Sequence, residues 1–214
     1  MRNILWDVDG TLFDTYPAIT YAISQALNGL GQSAALNVID SLARQSIEHC
    51  LATLAQRFDL DRDLLRQRYL AAYAALPLAN QPPMPEVEAV CAAIRQHGGQ
   101  NVAVTHRDVR TTQALLNAHR LAPLFAGIVS VEQGYPRKPD PAMALAALET
   151  YALDPVDTWL VGDRALDIEA GRAAGVCTCL YGRACVPQPA DLHIEHYSQL
   201  LALLASSEPQ GVYA

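Results

Sequence analysis

Short apolar runs rich in β-branched residues alternate with helical patterns along most of the chain. The runs have the length of buried strands, and they are NILWDV, NVAVTH, GIVSV, TWLVGD and GVCTCLY, beginning at residues 3, 101, 127, 158 and 175. The segments between them repeat their apolar residues at helical spacing over about 10 to 14 residues. This alternation predicts an α/β fold, a doubly wound parallel sheet with helices on both faces.

The region from residue 16 to residue 79 interrupts the alternation. It contains helical patterns such as PAITYAISQALNGLG and DRDLLRQRYLAAYAAL, and no convincing strand. The prolines of the following NQPPMP stiffen the return of the chain to the sheet. We therefore expect residues 1–15 and 80–214 to form an α/β core domain, and residues 16–79 to form an inserted helical domain.

Composition and charge argue against several kinds of partner. Hydrophobic residues make up 51% of the 214 residues, but charged residues are interspersed among them. No stretch approaches the roughly 18 to 20 consecutive apolar residues that span a bilayer, and the first residues lack the pattern of a secretory signal. We therefore expect a cytoplasmic protein. A net charge of −7 argues against nucleic acid and anionic membranes as its partners, because both require a basic surface.

Polar residues follow the predicted strands at the point where each strand ends. Asp7 and Asp9 follow the first strand, Thr105 ends the second, and Asp163 follows TWLVG. Lys138 lies in a connection, within YPRKPDP. Parallel sheets present their ligand sites at the carboxyl ends of the strands, so we expect these five side chains to meet at one edge.

The chemistry of this set indicates a metal and a phosphoryl group. Taken singly, an Asp after a strand commonly forms a turn or a helix cap. Three carboxylates at one edge, however, repel one another unless a cation lies among them, and oxygen ligands without His or Cys favour Mg²⁺ over zinc. Lys138, the Thr105 hydroxyl and the backbone N–H groups of a glycine-bearing turn can donate to phosphoryl oxygens.

Four motifs, in this order, resemble those of the haloacid dehalogenase-like (HAD) superfamily: DVDGT, VTH, RKPDP and GDRALD. The resemblance covers nearly the whole chain. The helical insertion directly after the first motif is similar to the type-1 cap domain of the branch that contains phosphoglycolate phosphatase and β-phosphoglucomutase. The resemblance implies a Rossmann-like core, a cap that closes over the site, and a small phosphorylated metabolite as substrate.

The resemblance also implies a role for each motif residue. Asp7 would be the nucleophile that forms an aspartyl-phosphate, and Asp9 would be the general acid and base. The carboxylates of Asp7 and Asp163, with the backbone carbonyl of Asp9, would bind Mg²⁺. Thr105 and Lys138 would bind the phosphoryl oxygens.

Three further residues lie within the motifs or directly after one of them. By resemblance, Asp167 would orient Lys138 or metal-bound water without binding the metal itself. His106 stands where many relatives have asparagine, and it either contacts the phosphate or leaving group or packs under the cap. Arg107 precedes Asp108, a predicted helix cap, and is interpreted as a surface charge at the start of that helix.

The insertion contains candidates for substrate specificity. The segment LARQSIEHC places Arg44, Gln45, Ser46 and His49 at a predicted junction between a loop and a helix. Caps of this branch carry a specificity loop in roughly this position, so we expect one or two of these side chains, Arg44 and Gln45 foremost, to face the active site. Polar residues at a helix start also commonly serve only as caps.

The leading interpretation is a Mg²⁺-dependent phosphatase that hydrolyses a small soluble phosphomonoester. A phosphomutase of the β-phosphoglucomutase kind shares every core motif and is the close alternative. A non-catalytic phosphoacceptor or binding module is a remote alternative, because a response-regulator receiver has its phosphoacceptor after a later strand and has no helical insertion. Asp9 favours phosphate ester chemistry over dehalogenation. The sequence leaves the identity of the phosphomonoester and the oligomeric state open.

Overall fold

A six-stranded parallel sheet lies at the centre of the unit formed by Met1–Phe13 and the described part of Pro83–Ala214. The structure, a computed structural model, describes residues 1–184 and 186–206. In chain order the strands are β1 (Asn3–Trp6), β2 (Asn101–Thr105), β3 (Phe125–Ser130), β4 (Thr158–Gly162), β5 (Cys177–Tyr181) and β6 (Leu192–Ile194). Their order across the sheet is β3-β2-β1-β4-β5-β6, so the chain reverses its direction of winding at β1.

The helices fall into two groups along the chain. Those of the inserted region are α1 (Tyr16–Asn28), α2 (Leu36–Gln45), α3 (Ile47–Phe58) and α4 (Arg62–Ala74). Those that alternate with the strands are α5 (Val87–Gln96), α6 (Val109–Ala118), α7 (Ala142–Thr150), α8 (Ala165–Ala173) and α9 (Tyr197–Ser206). None of the described helices is long and apolar enough to cross a membrane.

The sheet buries both of its faces, because successive side chains of a strand point in opposite directions. In β1, Leu5 packs in an apolar cluster with Met143 and Ala147 of α7. The next residue, Trp6, points to the other face and meets Tyr197 of α9 edge to face, with ring centroids 5.7 Å apart. Helices therefore cover both faces, and the predicted doubly wound parallel sheet is confirmed.

The inserted region forms the second unit, Asp14–Pro82. Residues 16–79 are all described and contain helices but no strand, which confirms the predicted helical insertion in the α/β fold. Apolar side chains from its four helices pack into one cluster that includes Ile23 of α1, Ile39 of α2, Leu54 of α3 and Leu65 of α4. The function of this unit as a cap remains a prediction.

Candidate active site

The loop after β1 presents the first two acidic residues. β1 pairs with β2 on one side and β4 on the other, which places its carboxyl end in the middle of the sheet edge. The Asp7 N–H still donates to the Val161 carbonyl of β4 at 2.9 Å, so Asp7 continues the direction of the strand. Gly10 then adopts a φ of 82°, a left-handed conformation that favours glycine, and turns the chain.

Lys138 lies between two buried carboxylates. Its Nζ is 2.6 Å from Oδ1 of Asp7 and 2.6 Å from Oδ1 of Asp167, and its side chain is fully buried. Burial raises the pKa of Asp7 to about 6, although the charge of Lys138 opposes the rise. Burial alone would lower the pKa of Lys138, but the carboxylates of Asp167 and Asp7 raise it above its ordinary value. The ammonium group therefore stays charged next to Asp7.

Asp167 is held in place at the start of α8. Its Oδ2 accepts the N–H of Arg164 at 3.2 Å, so its second oxygen is bonded as well as the one facing Lys138. The side chain fits because residue 162, at the end of β4, is glycine. This arrangement is consistent with the predicted part of Asp167 in orienting Lys138.

Three carboxylates of this edge lie close enough to share a cation. Oxygens of Asp7, Asp163 and Asp167 all lie within 4.8 Å of one another. Oδ2 of Asp7 is buried and has no hydrogen-bond partner among the described residues, whereas Oδ1 of Asp163 accepts the Thr11 hydroxyl at 3.4 Å. A buried carboxylate oxygen without a donor is costly unless a cation binds it. The donor set, made of oxygens alone, therefore fits a divalent metal ion.

Asp9 has a partner that the sequence interpretation missed. Oδ1 of Asp9 is 2.7 Å from Nη2 of Arg107, and its Oδ2 is 3.5 Å from Nε of the same side chain. The Arg107 side chain is only 8% exposed, so its interpretation as a surface charge is wrong. Asp108 does cap α6, accepting the N–H of Thr111 at 2.8 Å. The side chains of Arg107 and Asp108 thus have different roles, because Arg107 contacts Asp9 and Asp108 caps α6.

Thr105 and His106 connect β2 to this network. The Thr105 hydroxyl oxygen accepts the N–H of Arg107 at 3.0 Å, which leaves the hydroxyl proton for another acceptor. Nε2 of His106 accepts the backbone N–H of Lys138 at 2.8 Å. Burial of the ring, with the charges of Lys138 and Arg137, lowers the pKa of His106 to about 3. The imidazole is neutral and holds the segment that carries Lys138.

A second residue missed in the sequence lies at the start of α9. The hydroxyl of Tyr197 donates to the carbonyl of Thr11 at 2.9 Å, and its ring stacks on Tyr181 with centroids 4.4 Å apart. Burial raises the pKa of Tyr197 well above its ordinary value, so the hydroxyl remains a donor. The sequence shows only an amphipathic helix here, and nothing in it indicates this contact with the loop after β1.

The predicted specificity residues lie in the helical unit. Arg44 and Gln45 form the last turn of α2, and only Ser46 separates them from α3. The expected loop before α3 is therefore absent from this described segment, because α2 extends to Gln45. Ser46 caps α3 by accepting the N–H of His49 at 3.0 Å. Arg44 pairs with Asp40 in the preceding turn of α2, with Nε and Oδ2 2.8 Å apart.

Comparisons with known proteins identify a matching family and two similar phosphatases. A family model described as haloacid dehalogenase-like hydrolase matches residues 1–175. A phosphoglycolate phosphatase of Nitrosospira multiformis is 33% identical over 183 residues, 82% of this chain and 80% of that protein. An N-acetylmuramic acid 6-phosphate phosphatase of Pseudomonas putida is 31% identical over 184 residues, 83% of this chain and 81% of that protein.

One solved structure extends the comparison to the fold. A haloacid dehalogenase-like family hydrolase from Streptococcus pneumoniae has a TM-score of 0.78 with this chain at 20% sequence identity. The match covers 95% of this chain and 98% of that one. At this identity the similarity concerns the fold alone.

Proposed function

The chain belongs to the haloacid dehalogenase-like hydrolases and is a phosphomonoester hydrolase, and from this premise we propose that it is Mg²⁺-dependent and uses Asp7 as its nucleophile. Its substrate is a small soluble phosphorylated metabolite. The proposed metal ligands are the carboxylates of Asp7 and Asp163 and the backbone carbonyl of Asp9. Mg²⁺, when bound, supplies positive charge that offsets the charge of the phosphoryl group.

The arrangement around Asp7 is the observation that carries this proposal. Lys138 bonds one oxygen of the carboxylate at 2.6 Å, while the other oxygen is buried without a donor among the described residues. The lysine charge keeps the carboxylate ionised, and the uncovered oxygen retains lone pairs for a cation. Asp7 attacks phosphorus, and the bond between phosphorus and the ester oxygen breaks to give an aspartyl-phosphate.

Asp9 carries the proton in both halves of the reaction. In the first half its carboxylic acid gives a proton to the leaving ester oxygen, so an alcohol departs. In the second half its carboxylate takes a proton from water as that water attacks phosphorus. The bond from phosphorus to Asp7 then breaks, and inorganic phosphate is released with Asp7 and Asp9 restored.

Thr105 and Lys138 are the residues proposed to bind the phosphoryl oxygens. The Thr105 hydroxyl already accepts the Arg107 N–H, so its proton is available to an incoming oxygen. Lys138 has three N–H groups and bonds two carboxylates. A contact between His106 and the phosphate stays a prediction, and the bond from the Lys138 N–H to Nε2 supports a part in placing Lys138.

The substrate is proposed only as a class. The relatives named for phosphoglycolate and for N-acetylmuramic acid 6-phosphate are 33% and 31% identical to the chain, so similarity does not separate these two esters. Both are small phosphomonoesters, which supports a substrate of that kind here. A cytoplasmic location, and partners that include neither nucleic acid nor membrane, remain predictions from composition and charge.

The test is phosphate release with and without Mg²⁺ across a panel of small phosphomonoesters that includes β-glucose 1-phosphate. We expect wild type to release phosphate only with the metal, and Asp7→Asn to release none. Asp157→Asn, an exposed aspartate in the same unit, is the matched control and should behave as wild type. Absence of release from every ester would contradict the proposal, and conversion of β-glucose 1-phosphate to the 6-phosphate would indicate a mutase.

A further inference from the structure

Two nitrogen atoms of the Arg107 side chain contact the carboxylate of Asp9, the proposed general acid and base. Nη2 and Nε of the guanidinium face Oδ1 and Oδ2 of Asp9, at 2.7 Å and 3.5 Å. A planar guanidinium that meets both oxygens of a carboxylate fixes the plane of that carboxylate, whereas a single point charge does not. The pair is also shielded, since the side chains of Arg107 and Asp9 are 8% and 23% exposed.

The backbone of Arg107 is itself fixed by two neighbouring strands. Its N–H donates to the hydroxyl of Thr105 at the end of β2, and its carbonyl accepts the hydroxyl of Ser130 at the end of β3 at 2.6 Å. Ser130 is fully buried. The guanidinium is therefore presented to Asp9 from a rigid base, and this base does not depend on the Arg107 side chain.

We infer that Arg107 is a positioning residue for Asp9, an inference that rests on the function proposed above. The short contact to Oδ1 fixes the plane of the carboxyl group, and the longer one at 3.5 Å leaves Oδ2 to carry the proton that Asp9 gives to the leaving oxygen and takes from water. Proton transfer requires close and directed geometry, so a carboxylate that rotates freely would transfer protons less often. Arg107 itself touches neither the phosphoryl group nor the leaving oxygen in this scheme.

Substrates with different leaving groups distinguish a positioning role of Arg107 from a merely structural one. An alkyl phosphate expels an alkoxide, which needs the proton of Asp9. Acetyl phosphate and p-nitrophenyl phosphate expel acidic groups, which leave without a proton. The ratio kcat/KM covers the steps up to release of the alcohol, so it contains the acid step and excludes the later attack by water.

The experiment compares wild type with Arg107→Met on the best alkyl phosphate of the panel and on whichever activated phosphate wild type turns over faster. We expect kcat/KM to fall about tenfold to a hundredfold for the alkyl ester and less than about threefold for the activated one, part of the usual 10²–10⁴ contribution of acid–base catalysis. With the activated phosphate, the variant should also release its leaving group in a burst before a slow steady state, because the attack by water still requires Asp9.

Three controls accompany this comparison. Arg110→Met, one turn further along the chain and exposed, should match wild type. Arg107→Lys keeps the charge but makes one contact, so its loss on the alkyl ester should fall between wild type and Arg107→Met. Inhibition by inorganic phosphate should stay within about twofold in Arg107→Met, because Thr105 and Lys138 are untouched. Circular dichroism confirms folding, and Arg107→Gln replaces the Met variant if that variant unfolds.

Each outcome decides the inference separately from the proposed function. If wild type releases no phosphate from any ester, the proposed function itself has failed. If wild type is active and Arg107→Met loses equally on alkyl and activated phosphates, or loses nothing, Arg107 does not position Asp9. A large loss of inhibition by phosphate would mean that Arg107 binds the phosphoryl group instead, which also overturns the inference.

Discussion

Gly162 lies so close to Asp167 that a Cβ on residue 162 would be 2.3 Å from Cβ of Asp167 and 2.6 Å from its Oδ2. Only a residue without a side chain lets the end of β4 meet the start of α8 at this distance. The close approach carries Asp167 to Lys138, and Lys138 in turn bonds Asp7. A glycine, which has no functional group of its own, therefore shapes the site.

Gly162→Ala should displace Asp167 and weaken both folding and activity. The added methyl overlaps atoms of the fully buried Asp167, and overpacking of this kind typically costs about 1 to 3 kcal/mol of unfolding free energy. We expect kcat to fall at least about tenfold, because Lys138 loses one of its two bonded carboxylates. Urea unfolding and phosphate release measure the two effects.

Gly29→Ala is the matched control for this substitution. Its Cβ would meet nothing closer than 3.5 Å, and the residue has an ordinary helical conformation at the end of α1. Stability should stay the same or rise by a few tenths of a kcal/mol, because alanine restricts the unfolded chain. Equal losses in both glycine variants would contradict the packing argument.

The fold could be predicted because its signals are local. The apolar runs at Asn3, Asn101 and Thr158 became β1, β2 and β4, and the interruption of their spacing marked the helical insertion. The Asp108 cap was predictable for the same reason, since its partner Thr111 lies three residues away. Short-range patterns of this kind can be read from one sequence.

Contacts between distant residues could not be predicted in the same way. The neighbour Asp108 suggests a surface position for Arg107, whereas the actual partner of Arg107, Asp9, is 98 residues away in sequence. The bond from Tyr197 to Thr11 spans 186 residues and has no motif. Resemblance supplied the proposed catalytic acids, but the side chains that hold them depend on packing that no local pattern records.

Lys138→Met should destabilise the protein strongly at neutral pH. It leaves the buried carboxylates of Asp7 and Asp167 facing each other without a cation, and losing one partner of a buried ion pair costs about 3 to 5 kcal/mol. Adding Asp167→Asn removes one of the two charges, so the double variant should be more stable than Lys138→Met alone. Urea midpoints at pH 7.5 without Mg²⁺ test this order, and the reverse order would refute it.

His106→Asn should make the free energy of unfolding depend less on pH below about 6.5. The pKa of His106 is about 3 in the folded protein and near 6.5 when unfolded. Between these values the unfolded chain binds a proton that the folded protein does not, so wild-type stability falls as pH drops below about 6.5. The slope from this group is at most about 1.4 kcal/mol per pH unit.

Unfolding free energies from pH 7.5 to pH 4.5 measure this effect. The difference between wild type and His106→Asn should stay nearly constant above about pH 7 and shift steadily below about pH 6.5, because asparagine does not titrate. His49→Asn, at an exposed histidine of the helical unit, serves as the control. If the curves of wild type and His106→Asn stay parallel, His106 does not account for the acid sensitivity.

Mg²⁺ should stabilise the folded protein independently of catalysis. A ligand at a hundred times its Kd adds about 2.7 kcal/mol of stability, which raises Tm by several degrees. Asp163→Asn should lose most of this shift, because Asp163 is a proposed ligand. Asp167→Asn should keep it, since both Asp167 oxygens already accept bonds, from Lys138 and from the Arg164 N–H. An equal loss in both variants would make Asp167 a ligand as well.

Arg44 provides the last prediction, because its contacts within the helical unit compete with a part in substrate binding. Its guanidinium pairs with Asp40 and lies 4.2 Å from the centre of the Tyr16 ring. Such exposed contacts are each worth about 1 kcal/mol or less, so a substrate anion can replace them. Arg44→Ala, alone and with Gln45→Ala, should raise KM several-fold and leave kcat and Tm nearly unchanged. Asp40→Ala keeps the guanidinium and removes a competing contact, so KM should stay as in wild type or fall. Unchanged KM in Arg44→Ala, alone and with Gln45→Ala, would remove both residues from the specificity residues.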